Sequence, residues 1–192
     1  MRLAAPRWWR HLHPPLIVVY HGPACSGKTA SLQTLAARMS FVEPPGIMSA
    51  ATPAARQLSL TFGVPQIQRR VTVKMIAGAA MNEECRAELL AEADGVIVVA
   101  DSQQVKLGEN ARSMKLLGQV FKARQIRLRT APLVLQYNKR DVPGRLELDE
   151  LNRALNPGGW PWGASVAARG VGVTEAFDLL IERLIALRGR WP

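Results

Sequence analysis

A chain of 192 residues, 48% hydrophobic and 21% charged, fits one globular domain large enough to bury its own core, which excludes disorder throughout. Its longest apolar runs, such as 96–100, are too short to span a bilayer, no apolar signal core follows Met1, and two cysteines, Cys25 and Cys85, make neither a disulfide framework nor a four-ligand zinc site. A cytoplasmic protein with free thiols is expected. The net charge of +10 favours anionic partners, but Lys and Arg are scattered and no RNA-recognition or zinc-finger signature is present, so a solvated surface is expected and no nucleic acid.

The first residues, Arg7-Trp8-Trp9-Arg10-His11, read as an extension over 1–14. Its expected fate is packing of the tryptophans on a sheet edge rather than contact with a membrane. Leu16 to Tyr20 is a β-branched run ending near a glycine, and Leu32, Leu35, Ala36 and Met39 then recur at helical spacing, which predicts strand, loop, helix. Pro44, Pro45, Gly46 and Pro53 predict a loop. Leu58 to Phe62 and Arg70 to Ile76 read as strands able to pair around Gly63 and Pro65. A helix is expected over 83–93, a buried strand over 96–100 and a helix over 113–121. A strand over 133–137 and helices over 146–155 and 173–185 follow. Strands alternating with helices predict a largely parallel sheet covered on both faces, in one domain over 15–190.

The strongest motif is Gly22-Pro23-Ala24-Cys25-Ser26-Gly27-Lys28-Thr29, a G-x-x-x-x-G-K-T loop between predicted strand and helix. Glycines let the backbone curl around a phosphate, with the N–H groups of Cys25 to Ala30 pointing inward at the positive end of a helix. Lys28 supplies a charge to the outer phosphate oxygens. The Thr29 hydroxyl is the expected ligand of a magnesium ion. His21, just before the loop, is expected to be structural. The glutamates Glu83, Glu84, Glu88 and Glu92 have the spacing of a solvated helix face.

Asn138-Lys139-Arg140-Asp141, at the end of a predicted strand, is of the N-K-x-D type. With the phosphate loop it makes the chain resemble the Ras-like small GTPases. That resemblance implies a six-stranded, mostly parallel sheet with one antiparallel edge strand and about five helices, and GTP or GDP with Mg2+ as ligands. It implies that Asp141 accepts from guanine, that the stem of Lys139 covers the base and that Asn138 ties its loop to the phosphate loop. Ser165-Val166-Ala167 stands near that family's S-A-K segment, where the Val166 N–H would donate to the guanine carbonyl.

Longer stretches narrow the resemblance: Ile17-Val18-Val19-Tyr20-His21-Gly22-Pro23, Asp94 through Gln103, Gln136 through Asp141, and Leu155-Asn156-Pro157 through Val173 are similar to the bacterial MglA group of gliding-motility and cell-polarity GTPases. Membership in that group implies a nucleotide-controlled switch or scaffold and a Roadblock-type, MglB-like regulator. The switches depart from the group. Where relatives carry T-V-P-G-Q, this chain has Met75-Ile76-Ala77-Gly78-Ala79, so Gly78 can offer its N–H to a γ-phosphate while Ala79 cannot orient water. Arg56 is kept as the candidate catalytic residue, but Gln57 replaces the metal-facing threonine, for which Thr52 is the available substitute. Very slow intrinsic hydrolysis is therefore expected. The alternatives are a pseudo-GTPase interaction module and a P-loop ATPase or kinase using Asp101 as its metal carboxylate; Asp101 is read here as a structural loop residue.

Overall fold

The computed structural model describes residues 14–39, 46–49, 56–64, 69–77 and 83–187; the amino-terminal Arg/Trp segment lies outside these. The elements run β1 Leu16–His21, α1 Lys28–Arg38, β2 Gly46–Ser49, β3 Arg56–Val64, β4 Arg69–Ala77, α2 Glu83–Ala91 and β5 Gly95–Asp101. They continue with α3 Leu107–Ala123, β6 Leu133–Asn138, α4 Leu148–Leu155, β7 Trp162–Ala164 and α5 Val173–Ala186. Among the described residues the sheet has the order β2-β3-β4-β1-β5-β6-β7.

Strands β4, β1, β5, β6 and β7 run parallel, and β3 is antiparallel to both β4 and β2. The expected α/β class with one reversed strand is present. The sheet has seven strands rather than six because β2, read as loop from its prolines and glycine, adds beyond β3 and takes the edge. The pairing of β3 with β4 extends from Val64↔Arg69 to Arg56↔Ala77, longer than the apolar alternation marks.

Alternation along the strands sends neighbouring residues to opposite faces. From β1, Val18 and Tyr20 join Phe62, Val73 and Met75 under α1 and α5; Val19 joins Val98 and Leu135 under α2, α3 and α4. All seven residues of β5 are buried, as its unbroken apolar run requires of a strand covered on both sides. Phe62 and Phe177 meet edge to face, ring centroids 5.4 Å apart, and pin α5 to the sheet. The carboxyl ends of β1, β5 and β6 lie side by side, so the loops after them converge on one rim. No helix of the described residues is long and apolar enough to cross a membrane.

Candidate nucleotide-binding site

The loop from β1 to α1 is shaped by two glycines. Gly22 has φ +139°, and a Cβ there would stand 2.2 Å from the Val99 carbonyl oxygen; Gly27 has φ +104°, and its Cβ would stand 2.0 Å from Asn138 Nδ2. Only glycine fits either position. Between them Cys25 adopts φ +58° with its free thiol exposed. The Ser26 N–H reaches Pro23 O at 3.4 Å, and helical bonding begins with Ser31 N–H to Gly27 O at 2.9 Å. The N–H groups of Gly27, Lys28, Thr29 and Ala30 have no acceptor among the described residues, as expected at the start of a helix whose positive end is open to an anion.

Lys28 Nζ donates to Gly22 O (3.0 Å) and Pro23 O (2.6 Å), so the ammonium is held over its own loop. It shares the wall of a cavity with His21, Gly22, Ala24 and Arg86 of α2. Among the described residues neither Lys28 nor Arg86 has a carboxylate partner. Burial, with the charge of Arg86 added, lowers the Lys28 pKa to about 8. Two like charges in a half-buried recess are stabilised by an anion. His21 is the neutral wall: it is buried, its Nε2–H donates to Ser113 O at 2.9 Å, and burial lowers its pKa to about 4.

On the other side of the rim Asn138 joins three segments. Its Nδ2 donates to Ser26 O (2.7 Å), and its Oδ1 accepts from Ser165 Oγ (3.0 Å) and from Ala167 N–H (2.8 Å). Beneath it, Gln136 Nε2 donates to the hydroxyls of Ser31 and Ser165, both at 3.0 Å. Such a buried polar network fixes its members in one arrangement. Lys139 leaves β6 with φ +64°, and its Nζ lies 2.6 Å from Oδ2 of the buried Asp101. Asp141 lies on the same turn, its Oδ2 3.6 Å from the exposed guanidinium of Arg169.

One expectation is corrected. The Val166 N–H is not free to meet a base, because it donates to Val171 O at 3.0 Å, closing the turn that ends at Gly170 and Val171. With Ala167 N–H given to Asn138, the first N–H of this segment without an acceptor among the described residues is that of Ala168.

The switch residues are brought together less completely. Thr52, Gly78 and Ala79 lie outside the described residues, and of Arg56 and Gln57 only the backbone, in β3, is described. Met75 is 1% exposed and packs in the core, in register with Tyr20 of β1. Arg86 is the residue that reading the sequence missed: it sits among the α2 glutamates, and only the fold turns it toward Lys28.

The fit to ligands follows from these atoms. The open N–H groups, Lys28 and Arg86 suit a polyphosphate. No group of His, Cys, Asp and Glu side chains among the described residues could hold a metal ion. Asp101, the carboxylate that an ATPase or kinase reading would use, is paired with Lys139 and accepts from the Gln103 N–H.

No protein-family model matches the chain. It is 31% identical over 174 residues to the mutual gliding-motility protein MglA of Myxococcus xanthus (strain DK1622), a match covering 88% of this chain and 89% of that protein. The chain belongs to the MglA family. Its fold is therefore the Ras-like α/β fold of small GTPases, and the protein is a small GTPase-like nucleotide-binding switch. Within the MglA family, the rim at the ends of β1, β5 and β6 is where this chain's two motifs, 22–29 and 138–141, meet.

Proposed function

We propose that this MglA-family protein binds GTP or GDP with Mg2+ as a regulatory switch or scaffold whose intrinsic GTP hydrolysis is weak or absent. The observation that carries the reading is the Asn138 amide, which joins the phosphate loop, the 138–141 turn and the 165–167 segment into one rigid frame. Within that frame Gly22, Cys25, Ser26, Gly27 and Ala30 supply the backbone cradle and Lys28 the phosphate charge. Thr29 supplies the magnesium ligand, and Gly78 the contact that senses the γ-phosphate. Asp141 accepts from the guanine edge, the Lys139 stem covers the base, and the Ala168 N–H takes the role of carbonyl donor that Val166 cannot fill. Ser165 and Ala167 act by holding Asn138. Magnesium, when bound, neutralises charge developing on the phosphates.

Weak hydrolysis follows from residues that are missing. Ala79 has no amide to orient water, and Met75 is spent on the core, so Arg56 has charge to offer without a positioned nucleophile. The remaining groups come from a Roadblock-type, MglB-like regulator, and the process served is gliding motility or cell polarity in the cytoplasm. The domain extends over 15–190. Chromatography of the nucleotide released from denatured purified protein tests the reading: GDP or GTP supports it, adenine nucleotide favours the ATPase or kinase, and no nucleotide with no affinity for added GDP favours a pseudo-GTPase module.

A further inference from the structure

We infer that Asp101 is a positioning residue for the base: by anchoring the Lys139 ammonium it stretches and orders the hydrocarbon stem on which the base lies. The inference rests on the guanine-nucleotide reading above. Asp101 ends β5 with its side chain wholly buried, where a carboxylate persists only if it is paired. Both oxygens are engaged, Oδ2 by Lys139 Nζ at 2.6 Å and Oδ1 by the Gln103 N–H at 3.0 Å. Its main chain is also gripped: Asn110 of α3 accepts from Asp101 N–H (3.0 Å) and donates to Asp101 O (2.8 Å).

The parallel register sets Asp101 against Asn138, which brings Lys139, the next residue, alongside the carboxylate. A long lysine side chain with a free end must be frozen when a ligand arrives, whereas one tethered at both ends is already ordered. The pairing also neutralises Lys139 within the protein. Attraction for phosphate is thereby left to Lys28 and Arg86, so the contribution of Asp101 is the same whatever the number of phosphates.

The test is titration of the native and Asp101→Asn proteins with GDP and with GTP, with and without magnesium, using thermal unfolding of the ligand-free proteins to check folding. Asparagine keeps an oxygen for Gln103 and loses the charge. Affinity should fall roughly 10- to 100-fold. The factor should be the same for GDP and GTP and indifferent to magnesium, and adding Lys139→Met should cost little further, since the anchor is already gone. Binding of GDP within twofold of native overturns the inference. So does a loss that grows with the third phosphate or with magnesium, which would make Asp101 a metal carboxylate. If Asp101→Asn does not fold, Lys139→Met alone decides, because it keeps the stem and drops the anchor at a partly exposed residue: a loss of similar size supports the inference and retained affinity refutes it. A native protein that binds no guanine nucleotide would remove the functional reading and the inference with it, an outcome visible without any variant.

Discussion

Lys28 carries a charge that its own surroundings oppose. Burial and Arg86 bring its pKa to about 8, well below the ordinary lysine value of 10.5. In the ligand-free protein the charged form is thus penalised below pH 8, and stability rises as pH climbs from about 8 toward 10.5 and the strain is relieved. Phosphate binding reverses the preference and draws a proton to Lys28. Nucleotide affinity should therefore be flat below pH 8 and fall by up to about tenfold per pH unit above it. Isothermal titration across pH 7 to 10 measures this, and Lys28→Ala should abolish the dependence together with most of the affinity. An affinity unchanged at pH 9.5 would mean that Lys28 does not meet the phosphates. Asp141 makes a separate prediction. Asp141→Asn removes one charge-assisted acceptor from the guanine edge, so GDP affinity should drop roughly 10- to 150-fold while affinity for xanthosine diphosphate rises, as competition titration would show.

At the level of elements, most of the fold is legible in apolar pattern. Helices α1 and α5 carry stripes at helical spacing, and β1, β5 and β6 carry runs that only a doubly covered strand needs. Strands β2 and β7 are not legible, because four and three residues beside proline and glycine hold no periodicity and are strands only through their neighbours' backbone bonds. The start of α3 was hidden likewise. Gly108 and Asn110 lower local helix propensity, but the Asn110 side chain binds the Asp101 backbone and a Lys106–Glu109 ion pair at 2.7 Å lies across the first turn. In the site, the 22–29 and 138–141 loops are readable from spacing. Arg86 and the Asp101–Lys139 pair are not, since each is a contact between elements that no local pattern encodes. The element prediction concerns α5, which Phe177 anchors against Phe62: Phe177→Ala should cost ~3–5 kcal/mol in denaturant unfolding. A loss below about 1 kcal/mol would mean that α5 is held elsewhere.

For the whole molecule, the proposed switch joins a rigid binding frame to slow hydrolysis. The rim is fixed by one buried network, whereas the Ala79 methyl has no amide with which to orient water. Single-turnover hydrolysis should run at or below the ~10⁻⁴ s⁻¹ of unassisted Ras-like proteins. Ala79→Gln should raise it less than about tenfold, because catalytic groups act as a unit and Met75 and Gln57 still differ from the family. Fast phosphate release by the protein alone would contradict this. Release that appears only with a Roadblock-type partner would show the missing groups arriving from outside. The central claim, that this frame selects guanine, is tested most directly by one competition titration of the native protein with GDP against ADP. A site that presents the Asp141 carboxylate to the guanine edge should prefer GDP by at least the roughly 10- to 150-fold that a charge-assisted acceptor is worth; equal affinity for the two would contradict the account.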